Sequence, residues 1–256
     1  LPNAAFIGFT ATPLIVGEEK TRQVFGDYVS VYDFQQSMAD RATVPLYYEN
    51  RIPELELSDE MLNEKIDRVL EDAELDDAQD QKLAQYFRKE YHLITRDDRL
   101  EKIADDIVEH FVARGYLGKG MVISIDRLTT VRMYEKVQRY WKMKIETLKA
   151  QLVSADESEL ESIKETINFM EETDMAVVIS TSGDEVTFFE KHEIDIVPHR
   201  KRMKDEDLDE KYKDPHDPFR LVFVCAMWRT GFDAPACSTI YLDRPMRNHT
   251  LMQTIA

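Results

Sequence analysis

The chain has 256 residues, 43% of them apolar, and a formal net charge of −17. That length holds one large domain or two modest ones with a real core, and its longest apolar run is too short to span a membrane. The acidity argues against a nucleic-acid binder until its distribution is read: Glu54–Asp80 carries a net −10 and Gln151–Asp174 a net −7, which leaves the remainder electrically balanced.

The chain opens "LPNAAFIGF", without an initiator methionine or a signal peptide, which predicts a fragment that begins in mid-protein, in a cytoplasmic setting. Short apolar runs then recur with helical patterns between them. Strands are predicted at Phe6–Phe9, Tyr28–Phe34, Val44–Glu49, Met121–Ile125, Met175–Thr181, Arg220–Ala226 and Ser238–Asp243. Several are continuously apolar, as expected of strands covered on both faces.

The acidic stretch Glu54–Asp80, continuing to about Tyr91, reads as a helical insertion. Arg99–Arg114 is an amphipathic helix, with Leu100, Ile103, Ala104, Ile107, Val108, Phe111 and Val112 on one face. Asp98 and Glu101 suggest a capping box at its start, and Gly115 supplies its stop. A second long helix is predicted from about Thr129 to Ala150, with Tyr134, Val137, Trp141, Ile145 and Leu148 inward, and Ser154–Glu172 returns against it as a hairpin. Residues 198–218 hold three prolines and the basic run "HRKRMK" followed by "DEDLDE", which reads as a solvated loop, with DNA contact as the second reading. Cys225 and Cys237 are the only cysteines, and no histidine or cysteine stands at zinc-like spacing from them. They are expected as small buried thiols of a reducing cytosol. The alternation of helices and buried strands predicts an α/β fold built on a parallel sheet.

Three stretches carry candidate chemistry. "GFTATP" (Gly8–Pro13) puts the hydroxyls of Thr10 and Thr12 on a turn after a strand, the end where open α/β sheets bind ligands. Alone, it reads more simply as a Thr-Pro turn. "VCAMWRTGFDAP" runs a buried strand into a loop with Gly231, Arg229, Thr230 and Asp233, equally a ligand-touching loop or a glycine turn capped by the aspartate. "NHTLMQTIA" reads as the first turns of a helix with Gln253 on its surface.

In this order, and with "MVISIDRLTTVRMY" between, these stretches resemble motifs III, IV, V and VI of superfamily 2 helicases, most closely the motor subunit of type I restriction enzymes. The resemblance implies two RecA-like lobes with helices on both faces of each sheet. Residues 1–16 would end the first lobe and residues 17–256 form the second, with insertions at about 54–91 and 146–172 and a polar loop at about 198–218. It implies ATP and Mg²⁺ as cofactors, held mainly by the first lobe. Thr10, Ala11 and Thr12 would sense nucleotide state, Gly231 and Asp233 would face the cleft, and Gln253 would open the helix that carries arginine fingers. Double-stranded DNA would be tracked through its phosphates by Ser124, Arg127, Thr181, Ser182, Arg229 and Thr230. Arg132, Lys136 and Arg139 share one face of the long helix, and a basic surface answering the acidic hairpin is the simpler reading of them. The modification and specificity subunits of a restriction complex are the implied protein partners.

The sequence also departs from that pattern. It has no G-x-x-x-x-G-K-[ST] loop, and "GEEKT" (Gly17–Thr21) sets two glutamates where phosphate would sit. The acidic Mg²⁺ motif and the terminal arginines are likewise not in this sequence, so the fragment alone is expected neither to hydrolyse ATP nor to cut DNA. Two other readings stay open: another superfamily 2 helicase or type III restriction motor, and a non-catalytic RecA-like scaffold that docks partners on its acidic helices.

Overall fold

The structure is a computed structural model that describes residues 7, 26–42, 45–51, 88–115, 118–228, 232–244 and 246, with Phe34 and residues 88–90 described by backbone alone. The predicted strand at Phe6–Phe9 (Ile7 apart), the stretch "GFTATP", the acidic segment Glu54–Asp80 and the terminus "LMQTIA" lie outside the described residues. The chain divides into two compact units: Leu1–Glu54 with Met246–Ala256, and Leu55–Pro245.

In the first unit, the strand predicted at Tyr28–Phe34 does not form. Val29 and Val31 are exposed, and the backbone bends until helix α1 (Phe34–Ala39) begins. Asp33 decides this locally: its carboxylate accepts the Gln36 amide at 2.8 Å and caps the helix where the apolar run would have continued as strand. The strand predicted at Val44–Glu49 is also missing over its described part, Pro45–Glu49, where Tyr47 and Tyr48 are exposed. Pro45 removes a backbone donor at its start.

The second unit is the predicted α/β fold. After helices α2 (Arg88–Ile94) and α3 (Asp97–Ala113) come strand β1 (Lys119–Ser124), the long helix α4 (Arg127–Gln151), α5 (Glu157–Glu172) and strand β2 (Asp174–Val178). Three short helices follow, α6 (Glu185–Glu190), α7 (Val197–Asp205) and α8 (Leu208–Lys213), then strands β3 (Phe219–Val224) and β4 (Cys237–Asp243). All pairings are parallel, in the order β2-β3-β1-β4. The polar segment expected as a loop at 198–218 therefore contains α7 and α8. Its arginines and Tyr212 point inward, which a count of charges and prolines does not reveal.

Every residue of β1 is buried, because the strand is covered on both faces. A Cβ on Gly120 would meet Phe111 of α3, while Lys119, of opposite parity, donates from Nζ to the Lys211 carbonyl of α8 at 2.6 Å. The main core lies on the α3 and α4 side, where Val122, Leu221, Phe223, Met175 and Val177 meet Leu100, Phe111, Val137 and Trp141. Burying each such side chain contributes about 1.5–3 kcal/mol. Helix α5 does return against α4: Trp141 Nε1 donates to the Met170 carbonyl at 2.9 Å, and Lys149 pairs with Glu171 at 2.8 Å. The expected capping box of α3 is not formed. Arg96 occupies the cap position but its side chain makes no capping bond, and its guanidinium holds Asp98 instead, at 2.6 and 2.9 Å. Gly115, at φ 70°, stops α3 as the sequence requires.

Candidate functional site

Because the four described strands are parallel, their C-terminal ends share one edge, and that is the end where open α/β sheets bind ligands. The segments along this edge are Ile125–Asp126, residues 179–184, Cys225–Trp228 and Arg244.

At the end of β1, Asp126 caps α4 by accepting the Thr129 amide at 2.7 Å, and its second oxygen takes the Tyr91 hydroxyl of α2. Burial, with the Asp126 charge beside it, raises Tyr91 well above its ordinary value. The cap sets the direction of the next side chain. Arg127 donates to the Ser180 carbonyl at 3.0 Å, to Ser182 Oγ at 2.8 Å and to Glu185 Oε2 at 3.3 Å, and so ties the loop after β1 to the loop after β2. Arg200 of α7 reaches the same loop from the other side, donating to the Ile179 and Ser180 carbonyls at 2.6 and 2.8 Å and to both oxygens of Glu185 at 2.7 Å. Burial works to raise the Glu185 carboxyl, but Arg200, the Ser182 amide and Arg127 outweigh it and hold the group below its ordinary range. Thr181 and Ser182 remain exposed above this network.

At the end of β3, Cys225 is a free buried thiol, pushed up to about 11 by burial. Trp228 takes a left-handed backbone, φ 61°, and its ring lies on Phe232 with centroids 4.3 Å apart and planes 6° from parallel. Both rings lean on Tyr212 of α8, whose hydroxyl bonds the Cys237 thiol at 3.3 Å. Asp233, next along, is exposed. At the end of β4, Asp243 is paired with Arg99 at 2.6 Å while its Oδ2 is buried without a hydrogen bond. Its register partner on β1 is Ser124, whose Oγ is likewise buried and unbonded.

Residues 119–256 match the family described as type I restriction enzyme subunit R domain 3, and residues 1–81 match SWI2/SNF2 ATPase. The chain belongs to the type I restriction enzyme R subunit family. It is 34% identical over 258 residues to the type I restriction enzyme HindI endonuclease subunit of Haemophilus influenzae, covering all of this chain and 21% of that protein. It is 32% identical over 259 residues to the putative type I restriction enzyme MjaIXP endonuclease subunit of Methanocaldococcus jannaschii, covering all of this chain and 22% of that protein. The putative MjaVIIP endonuclease subunit of the same organism is 29% identical over 276 residues, with all of this chain and 24% of that protein covered. The chain thus spans between a fifth and a quarter of the length of these relatives.

For this R-subunit segment, Ser124, Arg127, Thr181 and Ser182 come together on the C-terminal edge, and Asp233 lies on the connection from β3 to β4. Ser124 is fully enclosed, so its hydroxyl faces the interior and not solvent. Thr10, Ala11, Thr12, Arg229, Thr230, Gly231 and Gln253 lie outside the described residues. Two of the three cations on the basic face of α4 are paired, but not with the acidic hairpin: Lys136 pairs with Asp97 and Glu101 of α3 at 2.6 and 2.5 Å, and Arg139 pairs with Glu101. Three residues of the edge and its support escape a sequence reading: Glu185, Arg200 and Tyr212. Arg200 is hidden in a basic run that reads as solvated, and the only sign of Tyr212 is its spacing of four from Leu208, which puts two apolar side chains on one face of a polar segment.

Proposed function

We propose that this chain supplies the second RecA-like lobe, with the end of the first, of the ATP-driven motor by which a type I restriction enzyme moves along double-stranded DNA. The observation that carries this reading is the convergence of Arg127, Thr181 and Ser182, from two separate loops, on the C-terminal edge of a parallel sheet. The loop leading to Asp233 leaves β3 at that same edge. A cation and two exposed hydroxyls there suit phosphate contact, which follows a backbone without reading its sequence. Ser124 drops out of the direct contacts because its hydroxyl is closed off.

The family membership and the SWI2/SNF2 ATPase match over residues 1–81 support ATP use with Mg²⁺, the nucleotide supplying the free energy of stepping. Mg²⁺ would accompany the nucleotide, held mainly by the first lobe through one or two carboxylates and the phosphates themselves. Asp233, exposed beside the Trp228–Phe232 stack, is the one described cleft candidate, and Gly231, Thr10, Thr12 and Gln253 complete the proposed set. Closure of the two lobes on nucleotide and their reopening would move the Arg127 edge relative to the first lobe. The modification and specificity subunits are the proposed protein partners and the cytoplasm the proposed location. No described helix is long and apolar enough to cross a membrane.

The test is Asp233→Ala in the full-length subunit assembled with its partners. ATP-driven translocation is expected to be lost while the melting curve is unchanged; wild-type translocation would overturn the assignment of this loop and favour a scaffold.

A further inference from the structure

Oε2 of Glu185 is surrounded by three donors, two guanidinium groups and one backbone amide. It accepts from the Arg200 guanidinium at 2.7 Å, from the Ser182 backbone amide at 3.2 Å and from the Arg127 guanidinium at 3.3 Å. Guanidinium and backbone N–H groups are the donors that proteins offer to a phosphate oxygen. The carboxylate is mostly buried, with 12% of its side chain exposed, whereas Thr181 and Ser182 just above it are open to solvent. Asp184, next in sequence, is exposed and makes none of these bonds. Within this cluster, the two arginines and one glutamate sum to a single positive charge. Arg127 still has N–H groups to spare, since a guanidinium has five and three bonds are used.

We infer that Glu185 is an internal stand-in for a phosphate: it occupies the anion seat between Arg127, Arg200 and Ser182 and so limits how tightly this edge grips the DNA backbone. The inference rests on the reading of this edge as the DNA-tracking surface, and it adds Arg200 to that surface as a second cation. A stepping motor needs each phosphate contact weak enough to release. With its own carboxylate in the seat, the cluster offers DNA the attraction of one charge, and without it the attraction of two. The same carboxylate keeps the two guanidinium groups oriented while no DNA is present.

The test is duplex-DNA binding by the full-length subunit without nucleotide, followed by anisotropy over about 50–200 mM salt. Glu185→Gln is expected to bind roughly tenfold tighter at low salt, the order for one unit charge near a surface. Its log–log salt slope should steepen by about 0.9, the value for one further phosphate contact. Arg200→Gln, which leaves the cluster neutral, should make the slope shallower by a similar amount, and it reads the charge sum even if Glu185→Gln fails to fold. The double variant Glu185→Gln with Arg200→Gln should return to the wild-type slope. Unchanged or weaker binding by a folded Glu185→Gln, with the slope unmoved, would leave Glu185 as a scaffold only and overturn the inference. Arg127→Ala reads the level beneath: if it alters neither affinity nor slope, the edge does not bind DNA and the inference falls with it.

Discussion

Trp228 and Phe232 lie ring on ring, 4.3 Å apart and within 6° of parallel, and between them run the three residues Arg229, Thr230 and Gly231. The stack joins the two ends of that short connection. It also offsets a local cost, since a bulky residue held at φ 61° costs about 1–3 kcal/mol, while an aromatic pair contributes about 0.5–1.5 kcal/mol beyond its buried area. Tyr212, fully buried and 5.7 and 6.2 Å from the two rings, completes the offset. Helix α8 is therefore the support of the loop that leads to Asp233.

Tyr212→Ala is expected to destabilise the protein by about 3–5 kcal/mol, the range for removing a buried aromatic ring. Tyr212→Phe keeps the ring and loses only the hydroxyl bond to Cys237, so about 1 kcal/mol is expected. Urea unfolding of both variants, with Trp228 fluorescence in a Trp141→Phe background as a second signal, separates ring from hydroxyl. Equal losses would mean that the stack carries no weight.

The approach of α3 to the sheet depends on Gly120. A Cβ there would sit 2.7 Å from Leu221 Cδ1 and 2.7 Å from Phe111 Cε2, closer than real Cβ contacts allow. Gly120→Ala is expected to cost about 1–3 kcal/mol by overpacking, read as a lower urea midpoint with an unchanged slope. Stability equal to wild type would show that Phe111 moves aside freely.

The second unit's four strands and its long helices were legible in the sequence because their signals are local and strong. Buried runs such as "LVFV" and the period of Leu100, Ala104, Ile107 and Phe111 need no tertiary information. The stretches Tyr28–Phe34 and Val44–Glu49 carry similar local signals, yet no ladder forms in their described parts, since a strand also needs a neighbour to pair with. Arg127, Thr181 and Ser182 were legible as candidates through motif order. Glu185 and Arg200 were not, because they stand fifteen positions apart on two helices and Arg127, the third member of their network, lies 58 positions from Glu185. Charge in "HRKRMK" looks the same whether an arginine reaches solvent or, as Arg202 does, Asp174 at 2.6 Å.

Two glutamates set the expected acid sensitivity. Burial works to raise Glu101, but hydrogen bonds from Arg139, Lys136 and Tyr140 outweigh it and bring the group down to about 2. Hydrogen bonds from Arg202 and Lys211 bring Glu206 to about 2 as well. Both values lie below the ordinary 4.5, so their stabilisation is present in full above that pH and is lost as pH falls from 4.5 toward 2. Unfolding midpoints should decline through this window. Glu101→Gln should lower stability at neutral pH and flatten the decline, and a decline as steep as wild type would remove Glu101 from the cause.

Asp243 should respond to pH in the opposite sense. Burial raises its carboxyl above the ordinary value, against the pull of Arg99, its one ionic partner at 2.6 Å. An acid whose folded value is raised stabilises the fold most when protonated, and that contribution is lost as pH rises through the raised value. Arg99→Ala leaves a buried carboxylate with no counter-ion, and about 3–5 kcal/mol of stability is expected to go at pH 8. At a lower pH the loss should be smaller, because protonation of the raised carboxyl neutralises the charge that Arg99 no longer meets. Adding Asp243→Asn should restore most of the loss at both pH values, since the amide needs no counter-ion. A loss that is the same at both, and is not relieved by the asparagine, would mean that Arg99 acts through its bond to the Ile94 carbonyl at 2.8 Å and not through Asp243.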